Sequence, residues 1–145
     1  MTVATWERKA RSPAANGKPR GWNMKRCMIV DDSSVIRKVA SRILGGSDLF
    51  VQEAATGDDA LVMCATQMPD IIIVDSRLPD IAAEDLIRQL ATLNSFVKPH
   101  IVVCMTEFDV GAIMRAKRAG ARGYILKPFN RSQLLERFRD MDLAA

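Results

Sequence analysis

The chain has little of what most enzyme chemistry draws on. There is one histidine, His100, with no cysteine or second histidine at ligand spacing, so no zinc site is expected and His100 reads as a strand-edge residue. The three cysteines, Cys27, Cys64 and Cys104, are odd in number, far apart and set in apolar segments. They read as small buried hydrophobes in a reducing cytoplasm rather than as a disulfide framework. No apolar run approaches the roughly 20 residues that span a bilayer, and the first residues lack the apolar core of a secretory signal. No glycine-rich cofactor loop is present. The 145 residues suffice for one domain with its own core.

The charge is unevenly spread. Residues 1–26 hold seven Lys and Arg against Glu7, a balance of +6; residues 27–110 hold 6 basic and 13 acidic side chains, −7; residues 111–145 hold 8 and 3, +5. A uniformly basic nucleic-acid binder would not divide in this way, and no direct DNA binding is expected. Residues 1–24 carry no apolar periodicity and read as a basic, disordered tail. Met24 is an alternative start, since Met24-Lys25-Arg26 leads directly into the first strand.

Five short apolar segments alternate with helical patterns. Cys27–Val30, Phe50–Ala54, Ile71–Asp75, His100–Met105 and Arg122–Leu126 read as strands. Between them, Val35, Val39, Ile43 and Leu44 recur at helical spacing, as do Ala60, Leu61, Cys64 and Met68. Leu86, Ile87, Leu90 and Leu93 mark a third helix, and Val110, Ile113, Met114 and Ala116 a fourth. Leu134, Leu135, Phe138 and Met141 mark a fifth. Such alternation predicts an α/β fold: a doubly wound parallel sheet with right-handed crossovers and helices on both faces. The central strand is Ile71-Ile72-Ile73-Val74, β-branched throughout, and it stops at a carboxylate.

Parallel strands bring their C-terminal ends to one edge, where open α/β sheets bind ligands. The ends here carry Asp31 and Asp32, Asp75, the hydroxyl of Thr106, and Lys127. Three crowded carboxylates repel one another and favour a cation. An oxygen-only donor set suits Mg²⁺, commonly shared with a phosphate. Asp75 can act as a carboxylate nucleophile forming an acyl phosphate, with Lys127 and Thr106 as partners for phosphoryl oxygens.

With these residues in this order, Asp31-Asp32, Asp75, Thr106 and Lys127-Pro128, the chain resembles the receiver (CheY-like) domain of bacterial two-component response regulators, over residues 25–143. The resemblance implies the flavodoxin-like strand order 2-1-3-4-5 with five helices. It further implies phosphorylation of Asp75 by a sensor histidine kinase or histidine phosphotransfer protein. Mg²⁺ would be held by Asp31 (through water), Asp32, Asp75 and the backbone carbonyl of Arg77, and Lys127-Pro128 would be cis. Thr106 and Tyr124 match the family's switch pair, which alters the face of helix 4, strand 5 and helix 5 for a downstream target protein. Such a domain is a signalling phosphoacceptor rather than an enzyme with turnover, cytoplasmic, a monomer or weak homodimer, off the membrane and here stand-alone. Two alternatives stay open: a phosphate sink or relay intermediate, and a phosphate-independent adaptor.

Several residues depart from the family pattern. Arg77, Glu107 and Phe108 stand beside the phosphoacceptor and would tune the lifetime of the phosphate, Arg77 reading equally as a solvated loop cation. Ala82-Ala83 replaces the usual Asp-Gly, which predicts strain or a rearranged loop. Arg115, Lys117, Arg118, Arg122, Arg131, Arg137 and Arg139 read as a solvated basic face, or as a docking face for an acidic partner or a cyclic dinucleotide. A haloacid-dehalogenase-type phosphatase would need an aspartate where Arg77 stands, so that reading fails.

Overall fold

In the computed structural model, residues 25–46, 49–134, 136 and 137 are described; the tail 1–24, Leu135, Phe138, Arg139 and Met141 lie outside them. The elements alternate in chain order. They are β1 Lys25–Val30, α1 Ser34–Leu44, β2 Leu49–Ala54, α2 Gly57–Thr66, β3 Ile71–Asp75, α3 Ala83–Thr92, β4 His100–Met105, α4 Val110–Ala119 and β5 Gly123–Leu126. A fifth helix follows, helical at 131–134 and at 136–137. The five strands form one parallel sheet in the order β2-β1-β3-β4-β5.

The sheet is covered on both faces because its central strands are apolar on both. Along β3, Ile72 and Val74 join the core beneath α2, α3 and α4, whereas Ile71 and Ile73 join the core shared with Ala40 and Leu44 of α1 and with Leu134. A polar residue at either register of β3 would therefore face a core. The three cysteines are buried free thiols. Burial pushes Cys64 up to about 11 and Cys104 up to about 12, and raises Cys27 as well, which keeps them protonated and unreactive.

On α1 the expected apolar stripe is corrected. Val35 and Val39 are 68% and 42% exposed, and the helix packs through Ala40, Ile43 and Leu44 instead. Val110 and Met114 of α4 are likewise exposed, at 59% and 41%. His100, expected at a strand edge, begins β4 and is buried. Gly120 closes α4 at φ 127°, a conformation that favours glycine.

Side chains cap four of the five helix starts: Ser33 for α1, Thr56 for α2, Asp109 for α4 and Asn130, which accepts from the N–H of Gln133, for the fifth helix. For α3 the N-cap is Ala82, with no side-chain bond, at an extended φ of −66° and ψ of 142°. The strain expected of Ala82-Ala83 is absent: among the described residues no non-glycine residue has positive φ, and Ala83 simply begins the helix, buried. What the substitution costs is the cap. Ala82→Asp is expected to stabilise the fold by about 1 kcal/mol, seen as a melting midpoint raised by about 4 °C. An unchanged midpoint would mean that water already satisfies the first turn.

Candidate functional site

Strand ends build the site. β1 delivers Asp31 and Asp32, and β3 ends on Asp75, whose backbone pairs in register with Cys104 of β4. Thr106 follows β4 directly, and Lys127 follows β5. Asp31 and Asp75 are buried, whereas Asp32 is exposed at the mouth. One carboxylate oxygen from each of the three lies within 4.8 Å of the others. Lys127 Nζ donates to Asp31 Oδ2 at 2.9 Å and to Asp75 Oδ1 at 3.1 Å. The Lys127–Pro128 bond is cis.

The pocket carries more negative than positive charge. Burial pushes the Asp75 carboxyl above the ordinary carboxylate range; the hydrogen bond from Lys127 pulls it back, and the charge of Asp31 pushes it up again. Burial alone would lower the Lys127 ammonium, but its hydrogen bonds to Asp31 and Asp75 outweigh that and leave it raised. The ammonium thus stays charged at any physiological pH. Oxygen donors in excess of local positive charge are the donor set of a hard cation, and Asp31, Asp32 and Asp75 fit Mg²⁺ on that ground.

Beside Asp75 a cleft of about 490 Å³ opens between the loops after β3 and β4, lined by Ser76, Arg77, Thr106, Glu107 and Phe108 among others. The structure therefore brings Arg77, Thr106, Glu107 and Phe108 to one opening next to the acidic pocket. The backbone N–H of Arg77 is placed to favour the ionised form of the Asp75 carboxylate. Tyr124 is half-buried against the core and meets Phe108 edge-on, with ring centroids 5.8 Å apart at 62°.

Two of the basic residues have partners on other helices. Arg115 pairs with Glu84 of α3 at 3.3 Å, and Arg131 donates to the Ile43 carbonyl at the end of α1 at 3.2 Å. Lys117, Arg118 and Arg122 are exposed, and Arg137 lines a separate cleft of about 570 Å³ with Tyr124, Leu126 and Gln133. Arg139 lies outside the described residues.

Two contributors were not legible as site residues. Arg37 of α1 donates through Nη1 to the Asp31 carbonyl at 2.6 Å and pairs through Nε with Glu53 at 3.2 Å, fixing the turn that presents the acidic pair. Asp80 accepts hydrogen bonds from the backbone N–H groups of Gly57 and Asp58 at 3.0 and 2.9 Å.

The family model that describes the response regulator receiver domain matches residues 27–139. The chain is 30% identical over 113 residues to chemotaxis protein CheY of Thermotoga maritima, a match covering 77% of this chain and 92% of that protein. It is 33% identical over 116 residues to the KDP operon transcriptional regulatory protein KdpE of Escherichia coli, covering 80% of this chain and 50% of KdpE. Among solved structures it resembles the chemotaxis response regulator CheY4 of Vibrio cholerae, with a TM-score of 0.76 at 28% identity over 81% of this chain and 98% of that one.

Proposed function

The chain belongs to the response regulator receiver domain family, and from that premise we propose that it takes a phosphoryl group onto Asp75 from a histidine kinase or phosphotransfer protein and signals by altered protein contact. The observation that carries this reading is the placement of Asp75. It is a buried carboxylate at the end of the central strand, bonded to Lys127 and within reach of two further carboxylates. An Asp75 oxygen attacks phosphorus, the P–O bond forms as the donor's P–N bond breaks, and the imidazole leaves with the electron pair and takes up a proton. Lys127 exchanges its bond to Asp75 for one to a phosphoryl oxygen, and Thr106 donates its hydroxyl to another. Asp31, Asp32, Asp75 and the Arg77 carbonyl would hold Mg²⁺, which when bound offsets the charge gathering on the phosphoryl oxygens.

Movement of Thr106 toward the phosphate draws on the loop that carries Phe108, and Phe108 touches Tyr124. Phosphorylation is thereby read out on α4, β5 and the fifth helix, where exposed Val110, Met114 and Leu126 would meet a target protein. Arg77, Glu107 and Phe108, at the mouth of the cleft, govern the access of water to the acyl phosphate. The protein has no turnover of its own in this role.

The test is beryllofluoride with Mg²⁺, followed by amide NMR in the wild type and in Asp75→Asn. Shifts that begin at Asp75 and spread to Thr106, Tyr124 and the fifth helix, and that vanish in the variant, are expected. Shifts confined to the acidic pocket would remove the signalling half of the reading, and no response would remove all of it.

A further inference from the structure

The loop after β3 is held from outside itself. Residues 76–82 leave the sheet at Asp75, and a backbone bridge joins Arg77 to Ala82 across the loop. At its tip the two carboxylate oxygens of Asp80 divide between two donors: Oδ1 accepts from the N–H of Gly57 at 3.0 Å, Oδ2 from that of Asp58 at 2.9 Å. These are the first two residues of α2, whose N–H groups have no partner within the helix. The same two bonds hold the Asp80 carboxyl below the ordinary carboxylate range, so the clamp is ionised at neutral pH.

The neighbouring residue closes the contact from the apolar side. A Cβ at Gly57 would fall 2.2 Å from Ile81 Cγ2, so only glycine lets the loop come this near. Helix α2 has an N-cap of its own in Thr56, which accepts from the N–H of Asp59 and, through its carbonyl, from that of Ala60; Asp80 serves the two amides that Thr56 does not. The same carboxylate thus ties the loop to the helix start.

The loop so fixed is the one whose Arg77 backbone N–H favours the ionised form of Asp75, with Arg77 lining the cleft beside it, and whose Arg77 carbonyl the Mg²⁺ reading needs as a ligand. We propose that Asp80 is a positioning residue for the metal site: by pinning the loop tip to the start of α2 with Ile81 seated over Gly57, it holds the Arg77 backbone where Asp75 and a divalent cation need it. The effect acts through the peptide at Arg77 and not through contact of Asp80 with the cation. It rests on the reading of Asp31, Asp32 and Asp75 as a Mg²⁺ site.

The experiment is a Mg²⁺ titration without phosphate, read by amide NMR, on wild type, Asp80→Ala, Asp80→Asn and Thr56→Ala. Asp80→Ala is expected to raise the Mg²⁺ concentration at half-saturation by about tenfold, the lower end for groups that orient a ligand from outside the coordination shell. Asp80→Asn, which keeps one acceptor oxygen, falls between. Thr56→Ala removes a bond from the same helical turn and lowers the melting temperature with the Mg²⁺ midpoint unmoved. Phosphorylation by acetyl phosphate at saturating Mg²⁺ then recovers in Asp80→Ala. Equal Mg²⁺ midpoints in Asp80→Ala and Thr56→Ala would overturn the proposal and leave Asp80 an ordinary cap. A wild type that takes up no Mg²⁺ would instead overturn the metal site itself, and the proposal with it.

Discussion

Asp75→Asn is expected to abolish phosphoryl uptake and, in the same protein, to raise the melting temperature. The first effect follows from the loss of the nucleophile: an amide oxygen forms no stable bond to phosphorus, and incorporation from acetyl phosphate falls by at least ~10³-fold. The second follows from burial. The fold raises the Asp75 carboxyl above its ordinary value, chiefly by desolvation, so folded protein holds that proton more tightly than unfolded chain does. The stability linked to the group is then complete below the unfolded value of about 3.9 and is lost as pH rises through the folded one. Above that folded value the ionised Asp75 weighs against folding. Asparagine, neutral at every pH, removes that weight, and the variant's advantage grows as pH rises through the folded value and then levels. Added Mg²⁺ narrows the gap by stabilising only the chain that binds it. The measurement is thermal unfolding from pH 4 to 8 beside phosphoryl incorporation. A variant that melts lower at pH 7 would show that the Lys127 bond outweighs burial, and residual uptake would place the phosphate on another carboxylate.

How far the sequence discloses this molecule depends on which groups do the holding. β3 is legible because four β-branched residues in a row are suited only to a strand with a core on each side, and Ile71 to Val74 divide between two cores as that requires. The strand-end groups are legible because parallel strands align their ends. Arg37 and Asp80 are not, because both act on backbone: the Asp31 carbonyl and the Gly57 and Asp58 amides exist in any sequence and leave no pattern. The burial of α1 misleads for a different reason. Val35 and Val39 lie four residues apart like any core pair, but Ile36, Ala40 and Ile43 form an adjacent stripe, and contact with the sheet decides between them. The partners of Arg115 and Arg131, on α3 and α1, are illegible for the same reason that distant contacts are: they lie far away in sequence.

Lys127→Met is the complementary substitution, since it removes the one ammonium bonded to Asp31 and Asp75 while keeping the length of the side chain. Three consequences are expected. Phosphorylation of Asp75 by acetyl phosphate slows by about 10²-fold, the loss usual for one charge-stabilising donor. The pH at which the rate falls on acidification moves upward, because Asp75 loses the hydrogen bond that now counters its burial. Stability at pH 7 without a cation drops by roughly 2 kcal/mol, short of the roughly 3–5 of a fully enclosed pair, because the Asp32 side of the pocket is exposed. Mg²⁺ or mild acid restores much of that loss, since either relieves the repulsion between Asp31 and Asp75. Lys127→Arg does not rescue the rate: a planar guanidinium cannot place one donor between two buried oxygens as an ammonium does. Amide exchange around β5, taken with and without Mg²⁺, separates the two roles of the lysine. A Lys127→Met chain that phosphorylates at the normal rate while melting low would make the ammonium a structural counter-charge alone. One that melts normally and phosphorylates slowly would mean that its charge acts on the phosphoryl group and that Asp31 and Asp75 tolerate each other without it.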